Sequence, residues 1–96
     1  MALTKFQRDG LEECESLLEK FPNMEHSGFQ EVVGKRETYL KATVKAPQHV
    51  LEVYLYEDEA GYLLEGGEWI IFEKPDYPSS AELLNAFLTK LHENLK

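Results

Sequence analysis

VLEVYLYEDEAGYLLEGGEWIIFEK, residues 50–74, holds runs of β-branched and aromatic residues separated by two glycine-containing turns. Val50 to Tyr56 alternates, with Leu51, Val53 and Leu55 on one side and Glu52, Tyr54 and Tyr56 on the other. Period-two alternation is the signature of a strand whose two faces meet different surroundings. Glu57 to Gly61 reads as an acidic hairpin loop, and Tyr62 to Glu65 as a short strand. Gly66-Gly67 suits a two-residue primed turn, which needs positive φ. Glu68 to Lys74 follows, with Ile70 and Phe72 opposite Trp69, Ile71 and Glu73. The segment is a β-meander with apolar residues on both faces. One face covers a core; the other needs its own explanation.

Upstream, Arg36 to Ala46 alternates as well: Leu40, Ala42, Val44 and Ala46 point one way, and Tyr39, Lys41, Thr43 and Lys45 the other. Pro47-Gln48 ends that strand, since proline cannot donate to a ladder. Phe29 to Val33 reads as a further short strand, with a turn at Gly34-Lys35 and a polar connection from Asn23 to Gly28 before it. The chain opens on a helix from about Thr4 to Phe21, with Phe6, Leu11, Cys14, Leu17, Leu18 and Phe21 along one stripe. Gly10 interrupts it, so the well-formed part is expected to begin at Asp9 as N-cap. Pro22 ends it. The last helix announces itself through Ser79-Ser80-Ala81-Glu82, a capping box with Ser79 as N-cap. Leu83, Leu84, Phe87, Leu88, Leu91 and Leu95 then repeat at helical spacing.

The order is α-β-β-β-β-β-α. Strands joined by tight turns pair antiparallel. Two amphipathic helices and one sheet satisfy each other when both helices pack on the same face. The expected fold is α+β: a two-layer sandwich of an antiparallel β-meander of 4–5 strands with N- and C-terminal helices on one face. Residues 1–96 read as a single domain, without linker, repeat or low-complexity segment.

The formal net charge is −8, which argues against general nucleic-acid binding because phosphate backbones repel such a chain. The opening MALTKFQRDGLEE carries no apolar h-region, so no signal peptide is expected there. No apolar run approaches the roughly 20 residues that span a bilayer. The single Cys forms no internal bridge. A small, acidic, soluble cytoplasmic protein that needs neither membrane nor cofactor fits these features.

Groups that carry chemistry mostly have plainer roles. Cys14 lies on the apolar stripe between Glu13 and Glu15, where negative charge disfavours a thiolate. His26, His49 and His92 show no metal-binding spacing. Glu57-Asp58-Glu59, with Glu65, Glu68, Glu73 and Asp76, does not match a calcium loop and reads as solvated surface charge. No G-x-S-x-G elbow or phosphate-binding loop is present. The expectation is no catalytic and no metal-ligating residue.

What remains is the second face of the sheet, with Tyr39, Lys41, Tyr54, Tyr56, Trp69 and Ile71 as candidate binding residues. The plain reading is an exposed face in which cross-strand pairs stabilise one another and Lys41 or Lys45 pairs with Glu52 or Glu73. The functional reading is a docking surface, since Tyr and Trp bury large areas while keeping a polar handle. Lys35, Arg36, Lys41 and Lys45 add a local basic stripe suited to an acidic partner or the acidic end of a second copy. The leading function is a non-enzymatic protein-interaction module that self-associates, as a homodimer, or docks a protein partner through this face. The alternative is a small-molecule-binding module with a cavity between sheet and helices. An enzyme using carboxylates around Glu57 and Glu68, and an acidic inhibitor or nucleic-acid mimic, stand behind these.

Overall fold

Alternation in the two central strands organises the molecule. In a computed structural model, which describes residues 3–22 and 24–95, the elements are α1 (Lys5–Glu19), β1 (Glu25–His26), β2 (Gln30–Val33), β3 (Thr38–Lys45), β4 (Val50–Leu55), β5 (Ala60–Leu64), β6 (Trp69–Phe72), one 3-10 turn (Lys74–Asp76) and α2 (Ser80–Leu95). Asn23, the first residue of the expected polar connection, lies outside the described residues, as do Met1, Ala2 and Lys96. All pairings are antiparallel, in the order β3-β4-β5-β6, with β1 and β2 both on the outer edge of β3. Leu40, Ala42 and Val44 of β3 and Leu51, Val53 and Leu55 of β4 are buried. All but Ala42 meet Phe6, Cys14, Leu17 and Leu18 of α1 and Leu83, Phe87, Leu91 and Leu95 of α2 in one cluster. Both helices therefore cover the same face, and the α+β sandwich read from the sequence is the fold. Each fully buried Leu or Phe contributes roughly 1.5–3 kcal/mol of transfer free energy. The radius of gyration, 12.6 Å, is that of a well-packed globule of this length.

Four local expectations need correction. The polar connection contains a strand: Glu25 pairs with Lys45 and His26 with Val44. Ser27 then interrupts the ladder, its amide donating to the Thr43 carbonyl and its hydroxyl accepting from the Thr43 amide, both at 3.0 Å. The chain resumes as β2, so the sheet has six strands. Two residues are too few to display a period, which is why β1 is invisible in the sequence.

The β4–β5 loop is shorter than expected. The Tyr56 amide donates to the Glu59 carbonyl at 2.8 Å, and Ala60 and Gly61 already belong to β5. The β5–β6 turn is not primed. The Leu64 amide donates to Glu68 O and the Gly67 amide to Leu64 O, so Glu65 and Gly66 occupy the central positions. Positive φ falls only on glycines, at 105° for Gly66 and 96° for Gly67. A primed turn demands positive φ at its first central residue, which the Glu65 Cβ disfavours.

Helix α1 starts before Asp9. Thr4 is its N-cap, closing a capping box in which the Gln7 amide donates to Thr4 Oγ1 at 3.1 Å and the Thr4 amide to Gln7 Oε1 at 3.0 Å. Asp9 instead pairs with Lys5 at 2.7 Å. Gly10 is buried, and a Cβ there would stand 3.1 Å from Leu55 Cδ2. It marks a close approach of helix to sheet rather than a helix start. Ser79 caps α2 as expected, accepting from the Glu82 amide at 3.2 Å. Among the described residues no helix is long and apolar enough to cross a membrane.

Candidate docking face

With both helices on one side, register decides what the other side carries. Cross-strand partners run Gln30–Lys41–Tyr54–Gly61–Ile71 in one row and Thr43–Glu52–Leu63–Trp69 in the next. Val32 pairs with Tyr39 in a third row. A strand's side chains repeat every two residues, so these rows share the face opposite the helices.

Four rings make a continuous cluster along it. Tyr54 and Tyr56, two apart on the chain, stack with centroids 6.0 Å apart and planes within 7°. Tyr39 on the neighbouring strand lies 6.0 Å from Tyr54 and 5.5 Å from Tyr56. Trp69 reaches Tyr54 across β5, at 5.0 Å. On β5 the partner of Tyr54 is Gly61, which has no side chain, and the partner of Trp69 is Leu63. The tilted pairs fall within the favourable centroid range for aromatic contacts. The three tyrosines are half-buried by one another, whereas Trp69 and Ile71 remain 47% and 48% exposed.

A polar network sits within the cluster. Lys41 Nζ lies 2.9 Å from Glu52 Oε2 and 5.7 Å from the centroid of the Tyr54 ring. The Tyr54 hydroxyl donates to the same carboxylate oxygen at 3.2 Å. The Lys41 partner holds the Glu52 carboxyl below the usual range, and the Glu52 bond holds the Lys41 ammonium above its own. Burial, then the Glu52 bond, raises the Tyr54 phenol. Burial, then Tyr54 and Tyr39, raises Tyr56. Of the basic stripe, Lys41 is thus neutralised locally. Lys35, Arg36 and Lys45 form no ion pair among the described residues.

All six candidates, Tyr39, Lys41, Tyr54, Tyr56, Trp69 and Ile71, come together here. The sequence reading missed Leu63, which lies between Glu52 and Trp69. It also missed a hollow of about 250 Å3 lined by Glu25, His26, Ser27, Thr43 and Lys45. Leu63 is hidden because Tyr62-Leu63-Leu64 is apolar throughout and shows no alternation. The hollow depends on β1, which has no sequence signal.

The remaining chemistry is spread apart. Cys14 is 1% exposed, and burial, with Glu13 and Glu15 beside it, pushes its thiol up to about 12. His92 packs edge-on against Phe21 at 5.6 Å. Asp58 reaches Lys74 at 3.7 Å, and Glu59 accepts from the Lys74 amide at 3.0 Å. Among the described residues no three His, Cys, Asp or Glu side chains are grouped to hold a metal ion. Between sheet and helices, Tyr62, Phe87, Leu51 and Leu55 are each below 2% exposure. Comparison with protein-family models, with curated proteins and with solved structures finds no match to this chain.

Proposed function

We propose that this chain is a non-enzymatic protein-interaction module of the cytoplasm, and that it pairs with a second copy of itself through the helix-free face of its sheet. The observation that carries this reading is the continuous Tyr39–Tyr56–Tyr54–Trp69 cluster, with Trp69 and Ile71 about half exposed beside it. Large amphipathic rings gathered on an uncovered face supply the anchors that dominate protein association. Charge favours a second copy. The chain carries −8 overall, yet the strand positions of this face set Lys41 and Lys45 against Glu25 and Glu52. A balanced, aromatic face meets its own image without local repulsion, and two-fold pairs are the commonest assemblies.

Light scattering over a concentration series tests the reading. The wild-type mass rises from the 11.1 kDa of one chain towards twice that value. Trp69→Ala and Tyr54→Ala, checked for folding by circular dichroism, stay near the mass of one chain at the same concentrations. A wild-type protein that remains a monomer throughout defeats the proposal.

A further inference from the structure

The open face carries a protruding ring and, at the same height along the strands, a hollow on the far edge of β3. Thr43 and Trp69 end the row Thr43–Glu52–Leu63–Trp69. They are three strand spacings apart, about 14 Å. Trp69 stands on edge strand β6, 47% exposed. At the other end of the row is the hollow of about 250 Å3 lined by Glu25, His26, Ser27, Thr43 and Lys45. Thr43 and Lys45 are open-face positions of β3, and Glu25 is the cross-strand partner of Lys45, so the hollow opens on the same face as the ring.

A two-fold axis lying in the interface, parallel to the strands, preserves each residue's height and exchanges the two sides of the sheet. Passed midway between Thr43 and Trp69, between β4 and β5, it lays Trp69 of each chain over Thr43 of the other. We infer that the second copy docks in this orientation, with Trp69 of each chain seated in the Glu25–Ser27–Thr43–Lys45 hollow of its mate. The inference rests on the self-association proposed above and specifies how the face recognises itself.

The chemistry of the hollow suits an indole. The Glu25 carboxylate and the Ser27 and Thr43 hydroxyls are acceptors for the Nε1–H, and the Lys45 ammonium suits the ring face. Charge selects the same axis. Lys45 pairs with Val50, and the Glu65 amide donates to Val50 O at 2.9 Å, so Glu65 stands at the height of Lys45 two strands across the open face. The axis parallel to the strands brings the Glu65 carboxylate beside Lys45, one strand spacing away, and Lys45 has no ion pair among the described residues. The alternative, an in-plane axis perpendicular to the strands, lays each Glu65–Glu68 hairpin over the Glu59 and Glu73 end of the same strands in the other copy. Like charges opposed in this way suppress that arrangement.

Complementary variants test the orientation, read by sedimentation equilibrium. Trp69→Ala removes the ring and leaves the hollow open. Thr43→Trp fills the hollow and keeps the ring. Each alone weakens self-association by about thirtyfold or more, the loss expected for a central aromatic anchor. Mixed in equal amounts they associate nearly as wild type, because every mixed pair seats one native Trp69 in an open hollow and sets one filled hollow against an alanine. Lys45→Trp replaces Thr43→Trp if the latter does not melt as a folded protein. Trp69 is the one tryptophan of the chain, so its emission in the wild type shifts to the blue as pairs form. If the wild type pairs but neither variant weakens it, or the mixture fails to recover, the orientation is wrong while self-association stands. A wild-type monomer removes both.

Discussion

Gln7 is a single residue on which three parts of the molecule depend. It is 1% exposed, accepts from the Thr4 amide to complete the α1 cap, and donates to the carbonyls of Thr38 at 2.8 Å and Leu55 at 3.3 Å. A buried amide satisfied on both sides fixes where the helix start meets the strands. Cys14 and Tyr62 fix a different property, the alkaline limit of stability. Burial raises both, to about 12, with Glu13 and Glu15 adding to the effect at Cys14 and Glu93 and Glu68 at Tyr62. The Tyr62 hydroxyl, which accepts from Asn94 Nδ2 at 2.7 Å, stays at the end of the core. In the unfolded chain a thiol ionises near pH 8.5 and a phenol near 10. The folded values are the higher ones, so the unfolded state releases its protons first as pH rises. The stability linked to these groups is complete below about pH 8.5 and is lost progressively up to about 12. A melting series therefore falls in Tm across that window. In Cys14→Ala the fall between about pH 8.5 and 10 is smaller than in wild type, because the thiol ionises in the unfolded chain at lower pH than the phenols do. A native thiol whose absorbance titrates at an ordinary pH contradicts this account.

Strand β6 depends on the glycine beside it. A Cβ added to Gly61 would lie 2.8 Å from Ile70 O and 3.2 Å from Ile71 Cα, both backbone atoms of β6. Backbone does not yield as a flexible side chain does, so Gly61→Ala displaces the edge strand that carries Trp69 and Ile71. The expected loss is about 1–3 kcal/mol, measured by urea denaturation, with self-association weakened beyond what that destabilisation explains. Wild-type stability and pairing in Gly61→Ala show that β6 accommodates the methyl group. The same elements show how much the sequence discloses. β3, β4 and α2 are legible because each runs long enough to repeat its period, and those repeats determine which side of the sheet Tyr39, Tyr54 and Trp69 occupy. β1 is illegible because its two residues carry no period and its pairing with Val44 and Lys45 is non-local. Tyr62 is illegible for a different reason: preceded by Gly61 and followed by Leu63 and Leu64, it has no polar neighbour to reveal that it faces the helices. Thr4 reads as the approximate helix start but not as its cap, because Gly10 and Asp9 suggest a later well-formed start, while the close approach of Leu55 that explains Gly10 is a tertiary fact.

Charge couples the whole molecule to its association. Two chains of −8 repel at long range, whereas the aromatic cluster and the pairing of Lys45 with Glu65 act only at contact. The repulsion extends about 30 Å at 0.01 M ionic strength and about 8 Å at 0.15 M. Most of the acidic residues lie away from the contact, on α1, on α2 and in the β4–β5 loop, so they oppose approach without entering it. Screening therefore removes more repulsion than attraction. Self-association strengthens as salt rises from about 0.01 to 0.15 M, then levels off once the screening length falls below the separation of the acidic surfaces. Sedimentation at a series of ionic strengths reads this directly. The sign separates the readings of the chain: an acidic inhibitor seated on a basic partner binds more weakly as salt rises, whereas a pair of like-charged copies held by aromatic burial binds more tightly. A steady decline in self-association with salt assigns the face to ionic rather than aromatic contacts and moves the centre of the interface from Trp69 to Lys45.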